Sequence, residues 1–217
     1  MEIKENNGKE EQANNSIEEV DLKEEFRPSG FLQSGKKKTV ILDLLYSTII
    51  GVMGGIISSL IPFSLLIKVW YPLTGGTQLV SGHHVMWASI VYGLTQKKYN
   101  IMITMHSKAI LEFLLGDPWG LIIIGVNLIE GAFLCAGFYL MEKIGERDTK
   151  LGWGIAGGIG NFFQAPFFWI LNQRWYLHWV LWVLAFMFAF ISGILITGLL
   201  GRTVKNGLIK AGVPTTY

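Results

Sequence analysis

Six long apolar runs, parted by short stretches that hold the charges, leave this chain few ways to fold. They fall at about 40–67, 80–95, 100–115, 119–141, 152–171 and 178–200, each close to the ~20 residues that a helix needs to cross a bilayer's hydrocarbon. Backbone amides in lipid must be satisfied within the segment, so each run is expected to be an α-helix. The fold class that follows is an all-α membrane protein, a bundle of six transmembrane helices. The second and third runs are short, and are expected to tilt together or to be partly re-entrant. The overall charge of +2 says little, because the charges are segregated. The single cysteine, Cys135, allows no intramolecular disulfide.

Basic residues in the gaps orient the bundle. Lys36, Lys37 and Lys38 precede the first run, Lys97 and Lys98 join the second to the third, and Lys143, Arg147 and Lys150 join the fourth to the fifth. Arg202, Lys205 and Lys210 follow the sixth, whereas the opposite side has only Arg174 in a loop and Lys68 near a helix end. The excess of Lys and Arg in cytoplasmic loops then places both termini in the cytoplasm of a multi-pass cell-membrane protein.

Three regions are expected. Residues 1–38 are rich in Glu, Lys and Asn and hold more than half of the 16 acidic residues. Such a segment buries too little apolar surface to order itself, so a disordered cytoplasmic tail is expected, without the layout of a cleaved signal. Residues 39–204 form the six-helix domain, and 205–217 a C-terminal cytoplasmic tail. Gly30-Phe31-Leu32-Gln33-Ser34-Gly35-Lys36-Lys37 imitates a phosphate-binding loop, but lacks the Ser or Thr after its lysine and any preceding strand. It is expected to be a flexible linker ending in a basic stop, so the chain carries no nucleotide motor.

The informative residues are polar ones inside apolar runs. Glu112, Asn127 and Glu130 lie in the third and fourth. A carboxylate in hydrocarbon costs about 2.5–3.5 kcal/mol on the mildest scale, so such groups face a cavity or a partner. Lys108, one turn before Glu112, can neutralise it. Asp117 and Pro118 form a helix-start signal for the fourth run. Counted from Trp119, Asn127 and Glu130 lie about 12–16 Å deep. In the fifth run Asn161 and Gln164 come just before Pro166, which is expected to kink the helix by freeing the carbonyl of Phe162. These five residues share the outer half of the bundle. Glu112, Asn127 and Glu130 either clamp helices together or mark a site, and Asn161 and Gln164 either satisfy the broken backbone or bind a polar ligand.

Trp70, Trp87, Trp119, Trp169, Trp175, Trp179 and Trp182 all fall on the outer side, with Trp153 alone inside. An interfacial belt would populate both sides, so the skew favours an aromatic pocket wall, to which Trp87, Trp119 and Trp169 are assigned. Residues 70–84, broken by Pro72 and Gly75-Gly76, are expected to fold over the outer mouth as a lid. His83 and His84 follow, and His84 is taken as a wall residue. Adjacent histidines on a helix diverge, and no Cys or His set has ligand spacing, so no metal site is expected. In the first run Gly51, Gly55 and Ser59, four apart, make a close-approach face. It either packs within the bundle or docks a partner subunit. Asp43, near the inner end, is expected to reach water and is given no role.

These features together resemble the substrate-binding S component of energy-coupling factor (ECF) transporters. More specifically, Lys108-Ala109-Ile110-Leu111-Glu112-Phe113-Leu114-Leu115-Gly116, followed by Pro118-Trp119-Gly120, resembles the YkoE-like group, associated with thiamine or its hydroxymethylpyrimidine precursor. The resemblance implies a vitamin-binding subunit that works with a transmembrane coupling subunit and two ATPases. It implies no enzyme activity, no cofactor and no nucleic acid. Metal-transporting S components carry a histidine directly after the initiator methionine; here position 2 is Glu2. An aminopyrimidine offers a flat face for Trp and a donor/acceptor edge for Glu, Asn and Gln. Two other classes compete. One is a stand-alone ion-coupled carrier with Lys108, Glu112 and Glu130 as a proton relay. The other is an intramembrane enzyme using His83, His84 or His106 with Asp117 or Glu112, for which no nucleophile–base motif is present.

Overall fold

The computed structural model describes residues 29–60, 77–171 and 178–217, and every regular element among them is helical. In chain order these are α1 (Ser29–Leu60), α2 (Gly82–Thr95), α3 (Lys98–Leu114), α4 (Ile122–Lys143), α5 (Lys150–Phe162), α6 (Gln164–Leu171), α7 (Trp179–Ser192) and α8 (Gly201–Lys210). A 3-10 turn, Thr77–Leu79, precedes α2, and a π-helical segment, Gly193–Leu200, carries α7 into α8. The chain divides into two units, Met1–Ile41 and Leu42–Tyr217. In the first, the stretch from Ser29 is helical, where a flexible linker was expected. Most of the acidic tail and of the expected lid, including Trp70, Pro72, Gly75 and Gly76, lies outside the described residues.

Three described helical stretches, Thr39–Leu60, Ile122–Lys143 and Trp179–Lys210, are long and apolar enough to cross a membrane. α2 and α3 are shorter, at 14 and 17 residues. The fourth run starts later than expected. Asp117 Oδ1 accepts from the Trp119 N–H at 2.8 Å, which caps a turn and not the helix. Gly120 then takes φ +55°, a left-handed value that favours glycine, and α4 begins at Ile122. The fifth run breaks at Phe163 into α5 and α6. This is the kink expected from Pro166, whose missing N–H leaves the Phe162 carbonyl without its helical donor.

Glycines set how closely the helices approach. A Cβ on Gly157 of α5 would lie 2.5 Å from the Gly193 carbonyl oxygen and 2.6 Å from the Gly198 amide nitrogen. The backbones of α5 and the π segment are therefore in contact, which only residues without a side chain permit. Hydroxyls pin α2 to the same seam. The Gly82 N–H donates to Ser192 Oγ at 2.9 Å, Thr197 Oγ1 donates to the Gly82 carbonyl at 2.7 Å, and Ser89 Oγ donates to the Thr197 carbonyl at 2.7 Å. Inside, Val85, Tyr92, Met105, Leu134, Phe138 and Trp153 form the main apolar core. Tyr92 stacks on Phe138 at 4.0 Å, and Trp153 meets Phe138 edge-on at 5.2 Å.

The end of the bundle that carries the α2–α3 turn is closed by the C-terminal residues. Asp43 is fully buried there, contrary to the expectation that it reaches water. It accepts from Lys97 Nζ at 2.5 Å, from Tyr99 Oη at 2.9 Å and from the Thr216 hydroxyl. The Thr216 N–H donates to the Leu94 carbonyl at 3.1 Å, and Tyr46 Oη to the Pro214 carbonyl at 2.8 Å. Residues 205–217, expected as a tail, thus continue α8 to Lys210 and then strap α1 to the α2–α3 turn. Asp43→Asn is expected to cost about 1–3 kcal/mol, as buried donors lose their charged acceptor. Deleting 211–217 should cost a similar amount. The two changes should combine less than additively in thermal unfolding of the detergent-solubilised protein, because they remove shared contacts. Full additivity would mean that the strap and Asp43 act independently.

Candidate functional site

The buried polar residues form two groups near the opposite, Asp117 end. The first joins α2, α3 and α4. Lys108 is 0% exposed, and Glu112 and Asn127 are each 1% exposed. Lys108 and Glu112 stand four apart on α3, one above the other. Lys108 Nζ donates to Glu112 Oε1 at 2.6 Å and to Asn127 Oδ1 at 2.8 Å. Asn127 Nδ2 donates to Glu112 Oε2 at 2.9 Å, which closes a ring of charge and amide, and also to the Ile123 carbonyl at 2.9 Å. His84 borders the ring, with Nδ1 3.2 Å from Lys108 Nζ and 3.6 Å from Glu112 Oε1.

Glu130 lies one turn further along α4 and is 2% exposed. It is within electrostatic reach of Lys108 and Glu112. No hydrogen bond to its carboxyl occurs among the described residues. The ring is closed on itself, whereas this neighbouring carboxyl belongs to a buried residue and is hydrogen-bonded by none of the described residues. A polar group in that condition costs free energy until a partner arrives.

The second group joins the turn before α2 to α5, α6 and α7. Asn161 Nδ2 donates to Ser81 Oγ at 2.8 Å and to the Ala189 carbonyl at 2.6 Å. Gln164 Nε2 donates to Asn161 Oδ1, and Ser81 Oγ to the Gln78 carbonyl at 2.8 Å. Among the described residues no hydrogen bond or ion pair joins the two groups. The structure therefore gathers Glu112, Asn127 and Glu130, and sets Asn161 and Gln164 apart around the α5–α6 break. Ser81 was not marked by the sequence, since a serine before a helix is ordinary. Lys108 was marked as the partner of Glu112 and as a member of a proton relay. Its contacts with Asn127 and His84 cross between helices and leave no local signal.

The aromatic residues are distributed differently from the expected wall. Trp87 faces α1, where a Cβ on Gly54 would lie 2.6 Å from Trp87 Cγ. Trp119 sits in the turn before α4, half-buried. Trp169 belongs to α6, but its side chain is outside the described residues. Trp179 is 67% exposed.

The small-residue face of α1 meets this chain's own α3. A Cβ on Gly51 would be 2.6 Å from the Thr104 carbonyl oxygen, and one on Gly55 would be 3.0 Å from that of Lys108. Ser59 is exposed, and its hydroxyl donates to the Gly55 carbonyl at 2.9 Å. Of the two uses open to this face, Gly51 and Gly55 show packing within the bundle.

A family model described as "ABC-type cobalt transport system, permease component" matches residues 42–163. No curated protein matches the chain. A solved structure described as "Crystal structure of an S-component of ECF transporter" superposes with a TM-score of 0.70 at 19% identity, covering 80% of this chain and 87% of that one. At that identity the likeness is one of fold.

Proposed function

Because the chain belongs to the family of ABC-type cobalt transport system permease components, we propose that it is the substrate-binding S component of an ECF-type importer. In this reading it captures a thiamine-related vitamin or precursor from outside, and a transmembrane coupling subunit with two ATPases drives delivery. The basic residues Lys97, Lys98, Lys143 and Arg147 gather at the α2–α3 and α4–α5 turns, which supports a cytoplasmic position for that end. The polar groups then lie toward the outer face.

The observation that carries the proposal is Glu130, a buried residue whose carboxyl has no hydrogen-bond partner among the described residues, beside the closed Lys108–Glu112–Asn127 ring. The exocyclic amino group of an aminopyrimidine donates hydrogen bonds, which matches a carboxylate acceptor. Trp119 and Trp169 are assigned stacking surface, and His84 the rim. Asn161 and Gln164 are assigned to the neighbouring wall. Among the described residues no three of His, Cys, Asp and Glu come together as a metal site would need.

The test is titration of the purified chain with thiamine and with hydroxymethylpyrimidine. Glu130→Gln should weaken binding tenfold to a hundredfold, the worth of a charge-assisted hydrogen bond of about 1.5–3 kcal/mol. Its thermal unfolding should hold or improve, because an unpaired buried carboxyl is removed. Asn127→Ala should weaken binding and stability together, since Asn127 belongs to the ring. Unchanged affinity in both variants would remove the site. Uptake by the chain alone in vesicles, driven by a proton gradient without ATP, would replace this reading with the ion-coupled carrier.

A further inference from the structure

Ser58 Oγ, both ring nitrogens of His83 and Trp87 Nε1 are buried and have no hydrogen-bond partner among the described residues. Trp87 lies on the α1–α2 seam, where it meets Gly54, and helical register brings Ser58 and His83 toward the same seam. The contact of Gly54 with Trp87 sets the register. Ser58 follows Gly54 by one turn on the same face of α1, and His83 precedes Trp87 by one turn on α2. The two helices run in opposite directions, so Ser58 and His83 lie at one level, above Gly54 and Trp87. His83 meets Trp87 edge-on at 5.6 Å between ring centroids, and lies 5.7 Å from His84, which borders the charged ring.

The chemistry of these atoms is specific. An indole N–H only donates, a neutral imidazole offers one donor and one acceptor, and a serine hydroxyl does both. None of the three is a carboxylate or an ammonium. A charged guest would find no counter-charge here, because Lys108 and Glu112 already satisfy one another. The complementary guest is a neutral group that donates and accepts at one atom, which is an alcohol hydroxyl. Water has the same capacity and is the competing occupant.

We propose that Ser58, His83 and Trp87 form an uncharged subsite for a hydroxyl group of the ligand, beside the charged group that holds its base edge. This rests on the aminopyrimidine reading above. The experiment compares two probes on the full chain in detergent: hydroxymethylpyrimidine and its deoxy analogue, in which the hydroxymethyl group is a methyl. The wild-type protein should prefer the hydroxylated probe by about tenfold or more, because sites built to bond a hydroxyl reject its absence. Ser58→Ala should lower that ratio several-fold, and Ser58→Ala with His83→Phe should bring it close to one. Affinity for the deoxy probe and the unfolding temperature should be retained, which separates a lost hydroxyl contact from a damaged fold. A wild-type ratio of one means that water alone occupies the seam. That result, or a double variant that keeps the preference, overturns the subsite and leaves the aminopyrimidine reading standing. Failure of the wild type to bind either probe overturns both.

Discussion

Lys108→Met is expected to destabilise the bundle by about 3–5 kcal/mol, the usual result of removing one member of a buried ion pair. Glu112 would then be left 1% exposed, its carboxylate held among the described residues by the Asn127 amide and bordered by His84. Asn127 would lose the donor to its Oδ1 in the same step. The double variant Lys108→Met with Glu112→Leu should recover most of the loss, because an apolar pair of similar volume replaces a pair whose attraction is largely offset by desolvation. Both are read from unfolding of the detergent-solubilised protein without ligand. A single variant as stable as wild type would show that Lys108 reaches water. A double variant as unstable as the single one would show that the lysine's methylene packing, and not its charge, holds α3 to α4.

Gly157→Leu is expected to prevent the bundle from closing, and Gly157→Ala to cost about 1–3 kcal/mol as an overpacked position. The new Cβ would meet backbone on the π segment, at the Gly193 carbonyl and the Gly198 amide. Backbone cannot rotate aside as a flexible side chain can, so α5 and the α7–α8 helix would have to separate. The Ser192, Thr197 and Ser89 hydrogen bonds to α2 sit on that seam and would be disturbed with it. Gly125→Ala in α4 is the control, because a Cβ there meets nothing within 4 Å. It should be neutral, or stabilising by up to about 1 kcal/mol through helix propensity. The measurement is recovery of monodisperse protein together with its unfolding temperature. Normal behaviour of Gly157→Ala would show that the two helices stand further apart than described.

The positions of the helical runs and the Pro166 break were legible in the sequence. Each depends on the exchange between a residue and its surroundings, lipid or water, or on the local backbone. Hydropathy reports the first and proline chemistry the second. Lys108 with Glu112 was legible for the same reason, since four residues make one helical turn.

What each helix faces was decided only by the tertiary structure. Gly51 and Gly55 carry the same close-approach signal whether the neighbour is α3 or another protein, because a glycine specifies absence and not a partner. Asn127 and Asn161 share a depth, yet one bonds Lys108 and Glu112 and the other bonds Ser81 and Ala189. Depth fixes height along the bundle but not direction around it. Asp43 looked solvated from its place near a helix end, and the C-terminal residues that bury it lie more than a hundred residues away. Hydropathy is a property of one residue in its solvent, whereas these contacts are properties of pairs, brought together only when the helices choose their neighbours.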